Sequence, residues 1–358
     1  MTINHGANLF DLSSKLGLKK SEILDFSSNV NPFGASKKAK NSLITNVDMV
    51  SMYPDPEYKE LKGVISEYCS CNFEDILLGS GATELISAFI DSINPKKALL
   101  ISPAYSEYER SLKRIGCEIV KYFAKKELEF KIDLNDLKKE IKKGEYDLVV
   151  ICNPNNPTGF AFEKEEIKEL LKYTKTFFMV DETYVEFTDT SKYSATHLVD
   201  KYKNIFVIRG TSKFFSTPGI RLGYGLISNE EIKEKISHKL DLWNINIFAD
   251  LMGEIMFKDK EYIENTISYM TEERKYLYDR LREINSLNVY ESKCNFILCE
   301  IKESDITAKD LYDELLKEGI VIRNCSSFEG LSDKFFRVCI LKHEENELLI
   351  QEIKKIFK

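Results

Sequence analysis

No stretch of the chain is apolar over the roughly 20 residues that a membrane-spanning helix needs, so no membrane association is expected. The opening residues, MTINHGANLF, lack a basic start, an apolar core and a small-residue cleavage site. No secretory signal is therefore expected, and the expected compartment is the cytoplasm. There is no basic excess either. Against 58 Asp and Glu stand 51 Lys and Arg, a formal net charge of −7. A general nucleic-acid binder would carry a basic field, so none is expected here. The lysines alternate with glutamates along segments such as Glu163 to Lys175, the pattern of a solvated helix face. The eight cysteines contain no C-x-x-C pair, because Cys69 and Cys71 are separated by one residue. Nothing resembles a zinc framework, so reduced thiols and no metal are expected. Internal repeats, low-complexity tracts and proline-rich linkers are also missing.

What is present is length and alternation. The 358 residues allow one large domain and a smaller one. Short apolar runs at 98–101, 148–152, 177–180, 205–208 and 222–227 read as buried strands. Runs polar only at their ends suit a sheet covered on both faces. Amphipathic helical patterns at 105–115 and 164–173 fall between them. The expectation is α/β: a three-layer α/β/α sandwich with a mostly parallel central sheet. From about 248 to 284 the pattern is helical with few breaks, as for a long helix leaving the large domain. Strand-like runs at 295–299 and 335–340 and helices at 308–316 and 344–356 then predict a smaller α+β domain. The expected division is an N-terminal segment 1–40 lying against the small domain, a large domain 41–245 and a small domain 246–358.

Ligands of open α/β sheets sit beyond the carboxyl ends of the strands. Polar residues gather there at 80–81, 102–105, 153–159, 181–184 and 210–213. In GTSKFFSTPGIRLGYG, Lys213 follows a buried strand. A desolvated lysine loses pKa and becomes a nucleophile toward carbonyls. Arg221, within a Pro-Gly turn, suits a two-point grip on phosphate. The same segment is also compatible with a surface lysine and an unrelated arginine. In FMVDETY, Asp181 ends an apolar strand and would need a buried cation, unless it merely caps the next turn. Tyr184 follows three residues later. In CNPNNPTG, two X-Pro pairs and a glycine fix the loop that carries Asn156. In LLGSGATELI a Gly-rich turn meets a helix start near Thr83, where free N–H groups can hold phosphate or a hydroxyl can simply cap the helix. Tyr105, in SPAYSEY, could stack on a flat ring or only pack.

Taken in order, GSGATE, SPAYSEY, NPNNPTG, VDETY and SKFFSTPGIRLG resemble the fold-type I enzymes that use pyridoxal 5'-phosphate (PLP), the aspartate aminotransferase superfamily. The likeness runs over nearly the whole chain. It implies that Lys213 holds the cofactor covalently and shuttles the proton, and that Asp181 pairs with the pyridine nitrogen. Tyr184 and Asn156 would contact the phenolic oxygen, and Tyr105 would stack on the ring. Gly81, Ala82 and Thr83, with Ser212 and Arg221, would hold the phosphate. Arg337, in FFRVCI, would bind the substrate carboxylate. Tyr53, in MYPDPEY, would reach the neighbouring subunit's site, implying a homodimer with shared active sites. One departure is Gly210, where the superfamily often has a phosphate-binding Ser or Thr; Thr211 or Ser212 would have to substitute.

Two branches of that superfamily are similar to this chain in further places. Histidinol-phosphate aminotransferases share NPNNPTG and the YPD segment. Threonine-phosphate decarboxylases share more: HG-x-N at 5–8, DFSSNVNPFG at 25–34, the lysine segment at 213–224, and IRNCSSFEGL at 322–331. This resemblance implies that His5, Asn29 and Arg323 lie near a substrate phosphate. The implied reaction is decarboxylation of L-threonine O-3-phosphate to (R)-1-amino-2-propanol O-2-phosphate, a cobalamin side-chain precursor. The alternative is transamination of histidinol phosphate or a related amine with 2-oxoglutarate. Which substrate bond stands perpendicular to the cofactor ring decides between them, and the residues named serve both.

Overall fold

The apolar runs form strands of one central sheet. The computed structural model describes residues 8–302 and 305–357. In chain order its strands are β1 (Leu24–Asp25), β2 (Ile76–Gly79), β3 (Lys97–Ser102), β4 (Glu118–Phe123), β5 (Leu148–Cys152), β6 (Phe177–Asp181), β7 (Ile205–Gly210), β8 (Gly223–Leu226), β9 (Leu287–Val289), β10 (Phe296–Ile301), β11 (Ile320–Val321), β12 (Arg323–Asn324) and β13 (Phe335–Cys339). Seven of them make the large sheet in the order β2-β8-β7-β6-β5-β3-β4. Only β8 runs against the others. Every residue of β5, β7 and β8 is buried, as expected of strands covered on both faces.

Strand periodicity divides this apolar content between two cores. Leu148 and Val150 of β5 pack with Leu85, Ile86 and Phe89 from helix Ala82–Ile93. Val149 and Ile151 point the other way, onto Ile167 and Leu170 of helix Lys164–Tyr173. The architecture is therefore helix, sheet, helix. Strand β4 was not among the sequence-predicted strands. It is a half-exposed edge strand paired only with β3, so its residues alternate too weakly to mark it.

The expected long helix is two helices, Ile247–Met256 and Lys260–Arg282. The break lies at 257–259, where the Asp259 amide bonds to the Met256 carbonyl. The Asp259 carboxylate accepts from Ser36 Oγ at 2.6 Å and Lys38 Nζ at 2.7 Å. Those partners are more than 200 residues away in sequence, so no local pattern announces the break.

Beyond it, β12, β13, β10 and β9 form an antiparallel sheet in that order. Strand β1 pairs in parallel with β11, joining the N-terminal segment to this smaller unit. Leu12 of helix Leu9–Leu16 packs there with Ile23 and Val321. Among the described residues, no helix is long and apolar enough to cross a membrane.

Candidate active site

A cavity of about 270 Å³ opens beyond the carboxyl ends of β5, β6 and β7, against the small sheet. The register lays Cys152 beside Asp181 and Asp181 beside Ile208, so these strands end almost level. The loops that follow therefore converge. Asn29, Ala82, Thr83, Tyr105, Asn156, Asp181, Tyr184, Ser212, Lys213, Arg221, Arg323 and Arg337 all line the cavity. Gly81 adjoins it. Tyr53 does not line it: the residue is 77% exposed and its ring centroid lies 4.5 Å from that of Trp243. His5 falls outside the described residues.

Lys213 Nζ donates to the Ser28 carbonyl at 2.6 Å. It makes no ion pair with a carboxylate of the described residues. Burial, and then the Arg337 guanidinium, pull its pKa down to about 8. Both effects penalise the ammonium form, one by desolvation and one by like charge. Across the cavity Asp181 is buried and receives three donors: Tyr108 Oη at 2.7 Å, the Thr183 amide at 2.9 Å and the Thr183 hydroxyl. Burial raises its pKa while these bonds pull it back. No lysine or arginine of the described residues pairs with it.

The phosphate-sized end is built by close backbone approach. Gly81 has φ 85° and caps helix Ala82–Ile93, leaving the Ala82 and Thr83 amides without carbonyl partners inside the helix. Arg221 lies directly over this turn: a Cβ on Gly81 would sit 2.4 Å from its Nη2. On the other side, a Cβ on Gly223 would sit 2.5 Å from the Ala82 nitrogen. Beside Gly210, Thr211 and Ser212 point to different places. The Thr211 hydroxyl is buried, donating to the Leu222 carbonyl at 3.1 Å and receiving Thr217. Ser212, not Thr211, lines the cavity.

At the opposite end two guanidiniums face each other. Arg323 of β12 pairs in register with Arg337 of β13, which puts both side chains on one face of the small sheet. Arg337 is buried, donating to the Ser27 carbonyl at 2.7 Å and to Asn156 Oδ1, while its Nε has no partner. Arg323 donates to Ser327 Oγ at 2.9 Å and lies over the Phe328 ring. Neither meets a carboxylate of the described residues. Asn29 donates to Tyr184 Oη at 3.2 Å, and its own buried Oδ1 is unsatisfied. Burial holds the Tyr184 phenol well above its usual range.

Sequence reasoning passed over Tyr108, Ser28 and Phe328, which also shape the cavity. Tyr108 stands three residues after Tyr105 on the same helical side, a spacing that could have indicated it. Ser28 acts through its carbonyl, which no side-chain motif signals.

Comparison with known proteins finds relatives over nearly the whole chain. The family described as aminotransferase class I and II matches residues 21–353. A Caldanaerobacter subterraneus protein, provisionally named a threonine-phosphate decarboxylase, is 38% identical over 358 residues, 99% of this chain and 94% of that one. Threonine-phosphate decarboxylase of Salmonella typhimurium is 30% identical over 355 residues, 98% of this chain and 96% of that one. The crystal structure of histidinol-phosphate aminotransferase from Clostridium acetobutylicum is 37% identical with a TM-score of 0.87, covering 94% of this chain and 99% of that one.

Proposed function

The chain belongs to the aminotransferase class I and II family and is a PLP-dependent enzyme, and we propose that it decarboxylates L-threonine O-3-phosphate to (R)-1-amino-2-propanol O-2-phosphate. The residues present fit the cofactor. Asp181 is a buried carboxylate without a cation, the partner a protonated pyridine nitrogen requires. Lys213 is an amine with a lowered pKa and no carboxylate ion pair among the described residues. The Gly81 turn and Ser212 supply donors for a phosphate, and Arg221, which donates to the Pro218 and Ser80 carbonyls at 3.4 and 3.2 Å, adds a guanidinium with further N–H groups. Bound PLP supplies an aldehyde that captures amines and a ring that draws electrons from the bond breaking at the substrate Cα.

The observation that carries the substrate assignment is the Arg323–Arg337 pair. Two guanidiniums without carboxylates, beside a lysine already disfavoured as an ammonium, need a ligand with more than one negative charge. Threonine phosphate has a phosphate and a carboxylate. If both arginines take the phosphate, the carboxylate stays unclamped and can leave as carbon dioxide. Lys213 Nζ, with its pKa near 8, then returns a proton to Cα. Tyr105 and Tyr184 line the same cavity. The threonine-phosphate decarboxylases matched over nearly their full length support this reading.

A second reading is supported by the 37% identity to the Clostridium enzyme. In it Arg337 takes a carboxylate of 2-oxoglutarate, and histidinol phosphate is the amino donor. One incubation separates the two. PLP-loaded protein is mixed with threonine phosphate, with and without 2-oxoglutarate, and separately with histidinol phosphate plus 2-oxoglutarate. Carbon dioxide release without a keto acid is the expected result. Glutamate formation from histidinol phosphate, with no carbon dioxide from threonine phosphate, would replace the first reading by the second.

A further inference from the structure

The edge strand β4 meets the small unit at the 325–331 loop. Lys121 and Phe123 lie two apart on β4 and so present the same face. Lys121 is only 14% exposed and stands between two carboxylates. One is Glu109 of helix Ser106–Arg114, at 2.8 Å. The other is Glu329, in the loop. The next residue, Gly330, has φ 93° and fits flat against Phe123: a Cβ there would sit 2.7 Å from the ring. Each partner leads to the cavity. The helix that carries Glu109 also carries Tyr108, the donor to Asp181. The loop that carries Glu329 carries Ser327 and Phe328, which hold the Arg323 guanidinium by a 2.9 Å hydrogen bond and a ring face.

We propose that Lys121 is a positioning residue that clamps the 325–331 loop onto the large unit, and that this clamp sets the affinity for the anionic end of the substrate by orienting Arg323. This rests on the substrate reading above for its effect on turnover, but not for its effect on the loop. A lone surface ion pair contributes little. Here one largely covered ammonium bridges two carboxylates, and side-chain freedom already lost to the first pair is not lost again to the second.

The test uses the PLP-loaded protein and the variants K121M, K121R, E329Q and G330A. Lys121→Met keeps the aliphatic stem, so packing on β4 is retained. Two measurements are made: amide hydrogen exchange of the loop and steady-state kinetics with threonine phosphate. K121M and E329Q are expected to speed exchange at 326–331. They should also raise KM about three- to tenfold with kcat nearly unchanged. G330A should do the same by pushing the loop off Phe123, and K121R should restore the wild-type values. Combining K121M with E329Q should add little to either alone, since both break one link. Unchanged loop exchange in K121M overturns the clamp. Faster exchange with unchanged KM, or with kcat falling as much as affinity, overturns its role in binding. If the wild type turns over neither threonine phosphate nor histidinol phosphate, the substrate reading fails, and loop exchange alone still decides whether Lys121 is the clamp.

Discussion

Tyr108 donates its hydroxyl to Asp181 at 2.7 Å, and both side chains are buried. This cavity-lining acid is thus steadied from behind by a tyrosine on the first helix after β3. Removing this donor leaves the carboxylate less stabilised in its ionised form, the form a protonated ring nitrogen needs. Tyr108→Phe should lower kcat/KM roughly tenfold and weaken PLP retention, because a bond to a charged group contributes about 1.5–3 kcal/mol. Asp181→Asn should lose more, about a hundredfold or beyond. Fluorescence titration of PLP into apo-protein, alongside kinetics, checks both. Equal retention in Tyr108→Phe and wild type would contradict the coupling.

Lys213 predicts a pH dependence with a definite sign. Its pKa in the folded chain is about 8, below the ordinary 10.5. Between those values the unfolded chain holds a proton that the folded chain lacks, so apo-protein stability rises with pH across that window. Thermal unfolding of apo-protein at several pH values should show this rise in wild type and not in Lys213→Met. The neutral amine also governs capture of the PLP aldehyde. Borohydride-fixed incorporation should climb with pH and level off above about 8. Lys213→Ala should abolish it.

Arg337 contributes to that low value through like-charge repulsion. Arg337→Met should therefore move the incorporation profile to higher pH and also ease the penalty on Arg323, whose pKa is lowered by burial and by Arg337. Substrate affinity should fall about tenfold or more at the same time. An unmoved profile would mean that burial alone sets the Lys213 pKa.

Gly223 is the position where β8 admits the start of helix Ala82–Ile93. A Cβ would approach the Ala82 nitrogen to 2.5 Å and the Gly81 carbonyl carbon to 2.6 Å, both backbone atoms that cannot swing aside. Gly223→Ala should cost about 1–3 kcal/mol, read in denaturant unfolding, and should weaken PLP phosphate binding by displacing the helix start.

Ile44, Val50, Met52 and Tyr53, close together in sequence, are each more than 60% exposed, and apolar side chains left exposed together mark association surfaces. We expect a homodimer in which this patch is covered and Tyr53 reaches the partner's cavity. Sedimentation should give twice the chain mass. Val50→Glu should shift it toward monomer, and Tyr53→Phe should loosen PLP without dissociating the dimer.

The fold was legible where burial is local. Strands β5, β6 and β7 read as unbroken apolar runs because a parallel sheet covers both faces. Strand β4 was not legible, since half its surface is solvated and its partners come from one side only. The break at 257–259 was hidden for a different reason: Ser36 and Lys38, which bind Asp259, lie far off in sequence.

Residue type and position at a strand end marked Lys213 and Asp181 as candidates, because a buried charge must have a use or a partner, and the resemblance made them the expected chemical pair. The same reasoning applied to the glycines and arginine of a phosphate cup. Only the tertiary structure decided that Ser212 rather than Thr211 meets the cavity, that Tyr108 stands behind Asp181, and that Arg323 and Arg337 face each other. Those facts depend on register and on side-chain direction between segments distant in sequence, and hydrophobic pattern carries no information about either.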